Sequence, residues 1–314
     1  MKIALLFPGQ GSQSIGMGLD LYKNFPIARQ TFQEINDVLG HNLSHLMFEG
    51  DNNILTLTQN AQPAIMAVGM AVIRVLEKEL GHPLPADFAA GHSLGEYTAL
   101  CATKSLSLTT AAHLLEKRGL AMAKAAEAIK GRMVAVLGLS LGQVSDLIKS
   151  VSNGKDPLYL ANDNCEGQVI VSGSPDGIEK LIPLAATAGA KRVVPLAVSG
   201  AFHCPFMQSA QDEMAPIIFN TDINPPKTPV ISNVSALPEI NPDDIRHNLV
   251  AQIIAPVRWR ETVLYLQTQG IDTYIECGNG KVMAGLVRRI DPSATVLSVS
   301  DSETISQTLS LIGQ

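Results

Sequence analysis

Short apolar runs that end in glycine-containing turns set the rhythm of this chain. Residues 2–7 are continuously apolar after the lysine and run into Pro8-Gly9, which predicts a buried strand. Residues 88–92 predict another, running into Gly91 and the turn beyond it. Between them, residues 27–39 carry apolar side chains at helical spacing. Residues 62–80 are apolar nearly all round in their first half, with Pro63 suited to a first helical turn. Strands alternating with helices predict an α/β core with a mainly parallel sheet.

The middle of the chain changes rhythm. Residues 133–139 read as a strand, 142–150 as a helix, 158–162 and 168–173 as strands, 175–188 as a helix and 191–198 as a last strand. The order β-α-β-β-α-β is that of a ferredoxin-like unit. Helical stretches then return, with strands expected at 230–232, 273–276 and 295–299. The expected organisation is a discontinuous large domain, 1–128 and 199–314, with a small ferredoxin-like subdomain inserted at 129–198. Ligand sites favour the cleft between two such units.

Composition narrows the class. With 314 residues, 46% of them hydrophobic and 17% charged, the chain has ample material for one large core and a smaller companion. A net charge of −6 argues against sequence-independent binding of nucleic acid; Lys191-Arg192 and Arg288-Arg289 read as ordinary solvated charge. The longest apolar run, residues 64–73, is about half of what a membrane span needs, so no membrane association is expected. The N-terminal apolar run is too short for a signal peptide. Cys101, Cys165, Cys204 and Cys277 are scattered without a CxxC pair, which points to free thiols rather than zinc or disulfides. A cytoplasmic protein is expected.

Gly91-His92-Ser93-Leu94-Gly95 fits G-x-S-x-G, the nucleophile elbow of α/β-hydrolase-like cores. Such an elbow needs a sharp strand-to-helix turn with glycines two residues either side, and it lifts the serine hydroxyl to a helix N-terminus, where developing negative charge is favoured. An apolar run (88–90) precedes the motif and a helix-favouring segment (96–102) follows it. A serine hydroxyl needs a base. His203, where the chain returns from the insertion, is one candidate. His247, with Asp243 and Asp244 upstream, is the other, in the Ser…Asp…His order of α/β-hydrolases. His92 adjoins Ser93 but projects elsewhere, and His41, His45, His82 and His113 lie in polar or helix-surface settings.

Arg118 stands out on the helix expected over 108–124. At 100° per residue, His113, Glu116, Lys117 and Lys124 share one side. Arg118 falls among Ala111, Leu114, Leu115 and Met122 on the other. A guanidinium there needs a carboxylate, from the protein or from a substrate. Gly9-Gln10-Gly11 does not complete G-x-G-x-x-G, because Ser14 stands third, and no Walker-A lysine is present.

These residues together resemble the malonyl-CoA:acyl carrier protein transacylases and the acyltransferase domains of polyketide synthases. The resemblance spans essentially the whole chain. It rests on Phe7-Pro8-Gly9-Gln10-Gly11-Ser12-Gln13, Gln59-Asn60-Ala61-Gln62-Pro63-Ala64, Gly91-His92-Ser93-Leu94-Gly95-Glu96-Tyr97, Arg118-Gly119, Gly200-Ala201-Phe202-His203, and Gln252 with Pro256-Val257-Arg258-Trp259. It implies ping-pong transfer of a malonyl group from malonyl-CoA to the phosphopantetheine thiol of holo acyl carrier protein, for fatty acid or polyketide synthesis. In that scheme Ser93 is the nucleophile and His203 its base, oriented by a carbonyl oxygen at Gln252. Backbone N–H groups of Gln10 and Leu94 form the oxyanion hole, and Arg118 clamps the malonyl carboxylate. Gln10, Phe202 and Gln62 join Arg118 in contacting substrate. No metal or redox cofactor is implied, and a monomer is expected. Gly200-Ala201-Phe202-His203 resembles the form of malonyl-selective members, where methylmalonyl-selective domains tend to have Tyr-Ala-Ser-His. Phe202 is therefore expected to crowd a methyl branch. Cys204, where Ser or Thr is more usual, and Asn279, where Pro is frequent, depart from the family pattern.

Overall fold

The computed structural model describes residues 1–313. Its strands are β1 (Ile3–Phe7), β2 (Phe88–Gly91), β3 (Arg132–Leu137), β4 (Leu158–Cys165), β5 (Gln168–Gly173), β6 (Arg192–Pro195), β7 (Val230–Ile231), β8 (Pro238–Glu239), β9 (Thr273–Cys277) and β10 (Thr295–Val299). They form two sheets. The first, ordered β10-β9-β1-β2-β7-β8, is parallel except where β8 folds back on β7. β1 lies near its middle and every residue of it is buried. A parallel strand covered on both faces reads as an uninterrupted apolar run, which is why the first segment carries no alternation.

The second sheet is antiparallel, ordered β4-β5-β3-β6. Here alternation is informative. Val134, Val136, Val169 and Val171 pack into one core under the helices Leu141–Val151 and Pro175–Thr187. Met133, Ala135 and Ile170 point the other way, into the main core and the cleft beside it. A two-residue period puts alternate side chains on opposite faces, so one sheet builds a private core and a cleft wall from the same strands.

The two sheets are joined by more than the chain crossings. The Asp163 N–H donates to the Val257 carbonyl, and the Val257 N–H donates to the Ala161 carbonyl, each at 2.9 Å. Arg260 Nε lies 2.9 and 3.1 Å from the two carboxylate oxygens of the buried Asp163. β4 is thereby stitched to the loop ahead of the helix Trp259–Thr268.

Three helices position the site: α1 (Thr58–Leu80), α2 (Leu94–Ala102) and α3 (Leu108–Ala128). α1 begins a turn earlier than the hydrophobic pattern indicates, so Pro63 lies inside it rather than in its first turn. The extra turn is Thr58-Gln59-Asn60-Ala61, largely polar and invisible to apolar periodicity. The Asn60 and Ala61 N–H groups both close it onto the Leu57 carbonyl. β6 ends at Pro195, short of the strand expected to 198, and Leu196 and Val198 turn to line the cleft instead. β4 runs on to Cys165, beyond the expected 162. All four cysteines are buried and unpaired. Among the described residues no helix is long and apolar enough to cross a membrane.

Candidate active site

Ser93 sits between β2 and α2 at φ 54°, ψ −110°, a conformation that L-residues rarely adopt. The flanking glycines make it possible. A Cβ on Gly91 would lie 1.9 Å from the Gly95 carbonyl, and one on Gly95 would lie 2.3 Å from the Phe7 carbonyl oxygen. Asn233, just past β7, holds the turn from outside. It accepts the Ser93 N–H at 2.7 Å and donates to the Gly91 carbonyl at 2.7 Å. Leu94 opens α2 and lines the cleft, as does Gln10 in the loop after β1. Among the described residues neither N–H has a hydrogen-bond acceptor. These are the free donors that a helix start and a tight loop leave available to an anion.

His203 is buried, with Nε2 2.9 Å from Ser93 Oγ. Its Nδ1 lies 2.9 Å from the Gln252 carbonyl oxygen and 3.2 Å from that of Ala255. Carbonyls only accept, so the ring proton resides on Nδ1 and the Nε2 lone pair faces the serine. Burial, reinforced by the Arg118 cation, pushes the imidazole down to about 3. His247, the other candidate base, lies elsewhere: its Nδ1 donates to the Asp243 carbonyl one turn back on its own helix, and its ring stacks edge-on against Phe219. A helical i to i−4 contact satisfies it locally, and Asp243 pairs with Arg246 instead. His92 turns away from Ser93, with Nε2 3.0 Å from Asn164 Oδ1.

Arg118 is 1% exposed, the most deeply buried cation of α3. Its Nη1 donates to Gln62 Oε1 at 2.7 Å, and Nη2 to Gln252 Oε1 at 2.9 Å and Ser93 Oγ at 3.1 Å. The guanidinium lies 5.6 Å from the Tyr97 ring centre. Nε has no partner, and among the described residues no carboxylate is paired with the group. Gln62 stands behind the guanidinium rather than at the cleft wall. Its Nε2 donates to Thr58 Oγ1, whose hydroxyl donates to Gln10 Oε1.

The cleft has a volume of about 280 Å³ and runs between the two sheets. Gln10, His92, Ser93, Leu94 and Arg118 form its polar side; Met133, Ala135, Ile170, Leu196 and Phe202 form its apolar side. Phe202 is anchored through its backbone carbonyl, which accepts from Ser172 Oγ at 2.6 Å. The two departures from the family pattern have local explanations. Cys204 Sγ donates to the Ala201 carbonyl, and Asn279 Nδ2 donates to the Ser12 carbonyl and to Ser14 Oγ, bracing the loop that carries Gln10. Asn233 and Glu96 escape sequence reasoning. Glu96 looks like an ordinary first-turn acid of α2, yet it is buried and its Oε2 accepts from Gln252 Nε2 and the Asn233 N–H.

A strained serine at a strand-to-helix turn, a neutral histidine on its hydroxyl and free N–H groups beside it are the parts of a covalent acyl-transfer site. The chain matches the model of the acyl transferase domain over residues 4–299. The malonyl CoA-acyl carrier protein transacylase of Bacillus subtilis (strain 168) is 44% identical over 304 residues, 97% of this chain and 95% of that one. The crystal structure of an acyl-carrier-protein S-malonyltransferase from Bartonella henselae superposes with a TM-score of 0.94 at 43% identity, covering all of both chains. A malonyl-transacylase solved in complex with its type II PKS acyl-carrier protein gives 0.94 at 36% identity, covering 99% of this chain and all of that one. The chain belongs to the malonyl-CoA:acyl carrier protein transacylase family.

Proposed function

We propose that this protein transfers a malonyl group from malonyl-CoA to the phosphopantetheine thiol of an acyl carrier protein through an ester on Ser93. The observation that carries the reading is Arg118: a buried guanidinium, unpaired with any carboxylate of the described residues, 3.1 Å from the oxygen that would attack. A buried cation of that kind is complete only when an anion arrives. A malonyl thioester brings one, two bonds from the carbonyl to be attacked. The guanidinium fork suits it bidentately.

The first half-reaction forms the Ser93 Oγ–carbonyl bond while the hydroxyl proton moves to His203 Nε2. The resulting oxyanion sits against the Leu94 and Gln10 N–H groups, each such donor being worth ~3 kcal/mol of transition-state stabilisation. Collapse breaks the carbon–sulfur bond, and the coenzyme A sulfur leaves with the proton from His203. The carrier thiol then repeats the sequence in reverse, giving malonyl carrier protein and free Ser93. Gln252 holds the base through its backbone carbonyl and the clamp through its side chain. Gln62 supports the clamp from behind. Phe202, on the opposite wall, is the element that crowds a branched α-carbon; similar transfer rates for malonyl-CoA and methylmalonyl-CoA would refute that role.

The same reading treats 129–198 as a ferredoxin-like subdomain inserted into an α/β-hydrolase-like domain of 1–128 and 199–314. The β-α-β-β-α-β element order and the β4-β5-β3-β6 sheet support it. It places the protein in the cytoplasm as a monomer feeding extender units to fatty acid or polyketide synthesis.

The test is to supply malonyl-CoA with and without holo acyl carrier protein and follow the products. Malonyl carrier protein and free coenzyme A in equal amounts are expected. Free malonate formed at the same rate with or without carrier would make the protein a thioesterase.

A further inference from the structure

Behind Arg118, one residue removed, lies a buried carboxyl group. Glu96, in the first turn of α2, is 1% exposed, and a single oxygen of it is the meeting point of the site. Its Oε2 accepts from Gln252 Nε2 at 2.7 Å and from the Asn233 N–H at 3.1 Å. Each of those residues reaches a reacting group. Gln252 presents Oε1 to Arg118 Nη2 and its backbone carbonyl to His203 Nδ1. Asn233 presents Oδ1 to the Ser93 N–H and Nδ2 to the Gly91 carbonyl.

We propose that Glu96 is a positioning residue for acyl transfer, holding Gln252 and Asn233 so that the clamp, the base and the nucleophile keep their mutual geometry. The proposal rests on the acyl-serine reading of the same site. Its physical basis is that an amide has two nearly isosteric orientations and something must choose between them. Turned over, Gln252 would set its NH₂ against the Arg118 guanidinium and its oxygen against the Ser93 carbonyl and Glu96. In the orientation present, Nε2 donates to both the Ser93 carbonyl, at 3.0 Å, and the Glu96 oxygen, leaving Oε1 as the acceptor that Arg118 requires. The Ser93 carbonyl is one acceptor for Nε2; the Glu96 oxygen, at 2.7 Å, is the shorter and more closely held one.

Asn233 adds a second consequence. With the Ser93 N–H taken by Asn233 Oδ1, the N–H groups of Leu94 and Gln10, both residues of the cleft wall, are left without an acceptor among the described residues. Glu96 thus also keeps the elbow's own N–H out of the oxyanion site. The groups around Glu96 are Glu239 from β8, Arg118 from α3, Gln252 and Asn233. Burial and Glu239 push its carboxyl above the ordinary range, while the two hydrogen bonds and Arg118 pull it down. The position of the oxygen therefore matters more than a full charge, and a glutamine offers an oxygen in the same place.

The experiment compares Glu96→Ala, Glu96→Gln and Glu96→Asp for kcat/KM of malonyl transfer. Each is made alone, and Glu96→Ala is also combined with Gln252→Ala. Wild-type malonylation of Ser93, measured alongside, reports separately on the acyl-serine reading. Loss of about tenfold or more is expected for Ala, as for leaving a buried hydrogen-bond donor without its acceptor. Gln should recover to within about threefold, and Glu96→Ala should add less than about twofold once Gln252→Ala is present, since two residues acting in series do not lose independently. Should the alanine variant prove insoluble, Asp decides: it keeps the carboxyl group but withdraws the oxygen by one methylene, and it should lose more than Gln. Alanine activity near wild type, glutamine no better than alanine, aspartate better than glutamine, or losses that multiply in the double variant would each overturn the proposal.

Discussion

Arg118 Nη2 stands 3.1 Å from Ser93 Oγ, so the cation and the nucleophile are in direct hydrogen-bond contact before any substrate is bound. The contact has two effects. On the proposed clamp role it sets where a substrate carboxylate would sit relative to Ser93 Oγ, and it makes the free site hostile to a second positive charge, including a protonated His203.

The first effect predicts a donor-dependent loss. Arg118→Ala should lower kcat/KM for malonyl-CoA by roughly 30-fold or more, the scale of about 2–5 kcal/mol for truncating one partner of a buried charge pair. Acetyl-CoA, which lacks the carboxylate, should lose far less. The check is the rate of Ser93 acylation with each donor; equal losses would make Arg118 a structural residue.

The second effect predicts a pH profile. The His203 imidazole is held down to about 3, by burial first and by Arg118 second. The base is therefore unprotonated through the neutral range, and the acid limb of kcat/KM should fall below 6.5, the ordinary value for histidine. A bound malonyl carboxylate neutralises Arg118 and removes part of the depression. The limb measured at saturating malonyl-CoA should consequently lie at higher pH than the limb measured well below KM. Single-turnover acylation at the two concentrations tests this, and a limb at 6.5 in both would contradict it.

The elbow predicts a stability contrast between two glycines. Gly91→Ala brings a Cβ to 1.9 Å from the Gly95 backbone and should lower the melting temperature and abolish Ser93 acylation together. Gly285, inside the helix Val282–Ile290, has no atom within 4 Å of an added Cβ. Gly285→Ala should raise stability by about 0.5–1 kcal/mol with activity unchanged. Thermal unfolding of both variants makes the comparison.

What the sequence made legible was whatever is local. The β1 and β2 runs, the Gly91 to Gly95 turn and the apolar face that carries Arg118 can each be read within a window of twenty residues, because periodicity and sterics act at that range. The contacts that complete the site span far longer separations. Asn233 meets Ser93 across 140 positions and Gln252 meets Glu96 across 156. Nothing in their neighbours marks them, since an asparagine after a two-residue strand and a glutamine at a helix end are common on any surface. Gln252 and Gln10 are visible through family resemblance alone, and the role of Glu96 only in the packed structure. Gln62, expected to contact substrate, is buried and holds Arg118 Nη1, a contact that depends on which way α1 faces. Apolar periodicity puts Pro63 in the first turn of its helix, and it lies deeper because the first turn of α1 is polar.

On the proposed route, Ser93 carries the malonyl group between two thiols. Intact-protein mass after brief incubation with malonyl-CoA, followed by addition of holo acyl carrier protein, tests it most directly. The account predicts a single malonyl adduct on Ser93, absent in Ser93→Ala, that leaves when the carrier arrives and appears on its phosphopantetheine. An adduct elsewhere, no adduct, or one lost to water at the same rate without carrier would contradict it.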